Sequence, residues 1–172
     1  MKLISEYIGE NILIAQTSVF KRNYEIRVKD EVIGSIQQKG FFGMTWDVSI
    51  QNKKWEVYKQ SIWRSTLYVR EAGYEMPIAD FTTDRFKSKG TLSLPRGEKL
   101  KIVPHIFKGY CEINNEHEEC LAKIIPKKIS FTDKAEVIIE KKDELLDKYP
   151  WIIIMAYIII TEQRRRAAHS AH

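Results

Sequence analysis

Tyr149-Pro150-Trp151-Ile152-Ile153-Ile154-Met155-Ala156-Tyr157-Ile158-Ile159-Ile160 is apolar on every side, and its placement decides the fold. Asp143, Glu144, Asp147 and Lys148 precede it; Glu162, Gln163 and Arg164-Arg165-Arg166 follow. A membrane span is one reading. Twelve residues at about 1.5 Å rise cover roughly 18 Å, whereas a bilayer core needs about 30 Å. A tail anchor would also carry three arginines across the bilayer. A buried strand pair is the second reading, since six isoleucines favour strand by propensity and periodicity alone does not separate a buried strand from a buried helix.

The preferred reading is a buried helix over about residues 150–163. Pro150 suits the first helical turn, where its missing N–H does no harm. The preceding acids suit the positive end of a helix dipole, and Arg164 to Arg166 the negative end. A helix apolar all round must be enclosed all round. Burying six isoleucines contributes up to about 9–18 kcal/mol, as large as the net stability of a typical domain, about 5–15 kcal/mol.

Upstream the pattern changes to period two. Tyr24-Glu25-Ile26-Arg27-Val28-Lys29, Trp46-Asp47-Val48-Ser49-Ile50 and Trp55-Glu56-Val57-Tyr58 alternate apolar with charged or polar residues. Further strands are expected at 12–15, 32–36, 66–70, 78–81, 91–94, 99–103, 106–113, 119–125 and 135–140, all rich in Val, Ile, Tyr, Trp or Thr. Lys29-Asp30-Glu31, Gln51-Asn52-Lys53, Glu71-Ala72-Gly73, Ser88-Lys89-Gly90 and Pro95-Arg96-Gly97-Glu98 supply turn chemistry between them. Turns spaced about ten residues apart mark an antiparallel sandwich or barrel. A sandwich has little room for a helix apolar all round. The economical solution is mainly β: a closed antiparallel barrel of about twelve strands, with the C-terminal helix as its core.

The 172 residues suit one domain. That domain is expected over 1–166, with 167–172 as a flexible tail. Composition is that of an ordinary soluble globular protein, 44% hydrophobic and 30% charged with net charge +5. Disorder, collagen and a multi-span membrane protein are excluded on these figures. The opening Met1-Lys2-Leu3-Ile4-Ser5-Glu6 holds no apolar leader segment, so an uncleaved cytoplasmic protein is expected.

Two stretches carry a resemblance. One is Tyr24 to Ile36, a strand, short turn, glycine, strand hairpin. The other is Tyr149 to Glu162 following the strand at 135–140. Together with the strand series they make the chain resemble, from about residue 10 to 166, the tubby C-terminal-like superfamily. That group includes tubby proteins, phospholipid scramblases and plant LURP-one-related proteins. The resemblance implies a twelve-strand barrel around a hydrophobic C-terminal helix. It also implies a binding role, since tubby domains bind phosphoinositide headgroups through basic residues of the barrel wall. Scramblases carry cysteine-rich and membrane-anchoring additions that this sequence does not show.

The densest basic stretch is Arg85-Phe86-Lys87-Ser88-Lys89-Gly90, with Arg96 one strand further on. Arg85, Lys87 and Lys89 are the candidate contacts for an anionic lipid headgroup, against the plainer reading of a solvated loop. Cys111, His117 and Cys120 form C-x5-H-x2-C with glutamates nearby, a spacing that fits no established zinc site. A two-residue turn at Asn115-Glu116 would set Cys111 opposite Cys120 as paired thiols. Lys54-Trp55-Glu56-Val57-Tyr58-Lys59 is a faint interleaving of aromatic and basic residues; Glu56 and a core role for Trp55 argue against a nucleic-acid partner. No nucleophile with a positioned base, phosphate loop or paired carboxylates appears. No catalytic residue, metal or cofactor is therefore assigned. The expected function is a non-enzymatic binding or scaffold module at an anionic phospholipid surface. The alternative is a protein–protein module using an exposed strand edge or an aromatic loop such as Gly40-Phe41-Phe42-Gly43-Met44, a loop that is expected to pack over one barrel end.

Overall fold

A computed structural model describes residues 2–40, 42, 44–84, 88–129 and 131–170. A 3₁₀ turn, Ile4–Tyr7, opens the chain. Twelve strands follow: β1 Asn11–Gln16, β2 Asn23–Val28, β3 Glu31–Lys39, β4 Thr45–Ile50, β5 Lys53–Tyr58 and β6 Leu67–Glu71, then β7 Ala79–Thr83, β8 Gly90–Ser93, β9 Lys99–His105, β10 Tyr110–Asn114, β11 Cys120–Ile129 and β12 Thr132–Ile139. Each pairs antiparallel with its sequence neighbour, and β1 pairs with β12, so the sheet closes without an edge. The chain ends in α1, Glu144–Lys148, and α2, Trp151–Ser170.

Alternation sets the faces. Along β2 and β4, and from Ala135 onward in β12, every second residue is buried and the others face the outer wall. Arg70–Glu56 and Lys127–Glu136 ion pairs, each 2.6 Å, lie between neighbouring strands there. The inward set meets α2, whose residues 151–160 are all buried. Tyr24 of β2 packs edge-on against Tyr157, with ring centroids 5.7 Å apart. Strands about 4.8 Å apart and tilted near 40° close a twelve-strand barrel roughly 23 Å across between main chains. One inward side chain on each wall then leaves space for one helix, about 10–12 Å wide with its side chains.

The helix differs in extent from its expected range. It starts at Trp151, with Pro150 just outside, and runs to Ser170. Of the tail expected at 167–172, Ala167 to Ser170 are helical and residues 171–172 lie outside the described residues. Arg164 to Arg166 thus sit about one to two turns inside the helix end, with Arg164 and Arg165 in contact with the barrel rim as described below. The sequence pattern also missed the 3₁₀ turn and α1, both too short to show a period. They close the end where α2 enters: Asp147 of α1 accepts from the Ser5 amide and hydroxyl, each at 2.7 Å.

Two strand boundaries shift as well. Residues 106–109, expected in a strand, form the β9–β10 turn, with Gly109 at φ 78°. Cys111 faces Ile124, and Cys120 faces Asn114. The two-residue turn fails because Asn115 organises a longer one. Its side-chain oxygen accepts from the His117 and Glu119 amides at 2.9 and 3.0 Å, and Glu118 takes φ 60°. A bulge at Ile113/Asn114 shifts the register further.

Replacing one enclosed side chain should be costly. Ile154→Ala is expected to lower stability by about 2–5 kcal/mol, read from denaturant melts. Gly90→Ala, whose new methyl would meet the Phe81 ring, should cost about 1–3 kcal/mol.

Candidate functional site: the rim where the helix leaves the barrel

In an up-and-down barrel alternate turns fall at the same end. The β1–β2, β3–β4, β5–β6, β7–β8, β9–β10 and β11–β12 connections therefore share the rim through which α2 emerges. Four contacts pin the emerging helix. Glu162 meets Lys59 at 2.6 Å, with the lysine side chain only 8% exposed. Gln163 Nε2 donates to the Ser88 carbonyl at 2.9 Å. Arg164 donates to the Pro126 carbonyl and Arg165 to Asp133, both at 3.3 Å. Between α2 and the β11–β12 edge lies a cavity of about 220 Å³, lined in part by Tyr157, Thr161 and Arg164.

Charge is distributed by end. Among the described residues, the rim connections and residues 161–170 hold nine basic side chains against two acids, Asp84 and Glu162. Lys21, Arg22, Arg64, Lys108 and Arg166 are exposed and take part in no ion pair among the described residues. The opposite end reverses the balance: residues 2–10 and 140–150 with its connections hold twelve acids and six bases.

Large apolar side chains also gather at the rim. Phe20 (97% exposed), Phe42 (67%), Trp63 (89%) and Phe131 (84%) stand on four of the connections, and Phe107 is fully exposed on a fifth. Local hydrogen bonds build three of these loops. Gln16 Nε2 donates to the carbonyls of Ser18 and Lys21, while its oxygen accepts from the Asp133 amide. Ser61 Oγ accepts from the Trp63 amide at 3.1 Å. The His105 carbonyl accepts from Lys108 and Gly109, leaving Phe107 at the tip. Of the loop expected to pack over one barrel end, Phe42 is 67% exposed, while Phe41 and Gly43 lie outside the described residues.

Of the candidate headgroup contacts, Lys89 lies on the β7–β8 connection of this rim, half-buried. Arg85 and Lys87 lie outside the described residues, as does Phe86. Arg96 sits in the β8–β9 turn at the other end. Trp55 is in the core. Cys111 is buried and Cys120 partly so, both as free thiols. Among the described residues, no group of three or more His, Cys, Asp and Glu side chains is placed to hold a metal ion.

No family model matches the chain, and no curated protein matches it. A solved X-ray structure of a protein from Arabidopsis thaliana is similar in fold, with a TM-score of 0.58 over 95% of this chain and 97% of that one. At 10% identity the likeness is one of fold. Among the described residues, no helix is long and apolar enough to cross a membrane.

Burial drives the Cys111 thiol far up, and burial with Glu112 pushes Cys120 to about 11. Burial likewise raises the Tyr157 phenol. These acids stay protonated in the native state but ionise in the unfolded chain above about pH 8.5 for thiols and about 10 for the phenol. The unfolded state then binds fewer protons, so stability falls as pH rises. The urea midpoint should be flat below about pH 8 and decline from about pH 9 to 11. Cys111→Ala should flatten the early part of that decline.

Proposed function

We propose that this chain is a tubby C-terminal-like barrel acting as a non-enzymatic module that docks on anionic phospholipid surfaces through its helix-exit rim. The observation that carries this reading is the charge polarity of the barrel, with nine bases against two acids at one end and the reverse excess at the other. Such a molecule orients in the field of a negative surface. Each Lys or Arg held near an anionic leaflet contributes about 1 kcal/mol. Five exposed rim cations outside any ion pair among the described residues thus give about 5 kcal/mol, an affinity of about 0.2 mM that salt screens within a Debye length of about 10 Å. The fold-level resemblance to tubby domains agrees with a lipid-facing role, on the rim here rather than on the wall. On this reading the protein works as a peripheral component at the cytoplasmic face of a membrane.

Vesicle co-sedimentation tests the proposal. Binding should require anionic lipid and weaken at high salt. Combined Lys21→Glu, Arg64→Glu and Lys108→Glu should reduce it more than about tenfold, while the melting temperature barely moves, since the three side chains are exposed. Equal binding to neutral vesicles would contradict it.

A further inference from the structure

Charge at the rim does not account for the aromatic side chains there. Single exposed apolar residues are ordinary, but here Phe20, Trp63, Phe107 and Phe131 share one end with Phe42. The opposite end exposes one large aromatic among the described residues, Tyr74, with the aliphatic Leu3, Ile8 and Met76. Sequence context separates the ends too. At the rim each of three tips is an aromatic followed directly by a base: Phe20-Lys21, Trp63-Arg64 and Phe107-Lys108. At the other end, Tyr74 is followed by Glu75. Val19 and Ile62, beside two of the rim aromatics, are also exposed.

We propose that these tips insert: Phe20, Trp63, Phe107 and Phe131 enter the interfacial layer of the bilayer together, so the barrel stands end-on with α2 directed at the membrane. This rests on the membrane reading above and adds its geometry and its apolar component. Aromatic rings favour the depth of the headgroup boundary, and a base one residue away reaches back to phosphate. Alternate turns of a closed barrel surround one opening, so several tips can meet a flat surface at once. The hydrogen-bonded turns that carry Phe20, Trp63 and Phe107 hold these tips in place before contact, which reduces the ordering cost of docking. Rim-to-rim pairing of two copies would oppose two positive surfaces, whereas an anionic bilayer complements both the charge and the apolar tips.

Trp63 is a built-in probe, because Trp46, Trp55 and Trp151 are buried. Vesicles of phosphatidylcholine and phosphatidylserine, with bromine on the phosphatidylcholine chains, should quench and blue-shift its emission. Part of that quenching should persist at high salt, and Trp63→Phe should abolish it. Phe20→Ser, Phe107→Ser and Phe131→Ser should each lower vesicle partitioning about threefold to tenfold with unchanged melting. If the protein sediments with anionic vesicles but Trp63 is unquenched and salt releases it completely, insertion is wrong while electrostatic docking stands. If it does not sediment with anionic vesicles at all, both fall.

Discussion

Ten consecutive residues, Trp151 to Ile160, have no side open to water, and the rest of the molecule is organised around that constraint. An all-apolar helix is insoluble unless surrounded. A twelve-strand barrel has a lumen too wide for its own side chains alone to fill, in contrast to the smaller barrels whose strands pack their own core. Each element removes the other's defect. The closed sheet also removes the exposed strand edges that would invite aggregation. Small departures from this fit are costly because interiors are packed near crystal density. The approach of the Phe81 ring to Gly90 illustrates the tolerance available: one methyl is too much.

The constraint extends to the ends of the barrel. α2 is longer than its buried segment, so it must leave the lumen. Where it leaves, the Lys59–Glu162 pair and the contacts of Gln163, Arg164 and Arg165 fix it to the β5–β6 and β7–β8 connections, β11 and β12. At the entry end, Asp147 clamps the 3₁₀ turn beneath the helix. The acidic residues gather where the helix begins and the basic ones where it emerges. The helix direction therefore gives the barrel two chemically distinct faces. A rigid opening with loops held by their own hydrogen bonds is a good platform for surface contact, because little order remains to be imposed on binding.

Much of this was legible in the residues. Strict alternation at Tyr24 to Lys29 and Trp46 to Ile50 marks half-buried strands, and the turn residues between runs give their order. The isoleucine segment could be neither a span nor an exposed surface. What escaped had physical reasons. α1 and the opening 3₁₀ turn are too short to carry a period. The Cys111–Cys120 facing failed because Asn115 builds a longer turn and a bulge follows, features set by side-chain hydrogen bonds rather than by hydropathy. Beyond residue 163 the helix is carried on by Arg164 and Arg165, which meet the rim, and its last turn, from Arg166, is exposed. The candidate site was sought in one basic stretch, Arg85 to Lys89, whereas the barrel gathers short signals from six connections. Aromatic–basic dipeptides at three turns, Phe20-Lys21, Trp63-Arg64 and Phe107-Lys108, were the available clue, meaningful only once the up-and-down topology assigns those turns to one end.

Whether the barrel depends on its central helix is best read from a chain lacking residues 149–170, followed by calorimetry and far-ultraviolet circular dichroism. Mutual dependence predicts no cooperative thermal transition and exposed apolar surface that binds a hydrophobic dye. A truncated chain that stays monomeric, retains its strand signal and melts in one sharp transition would contradict it.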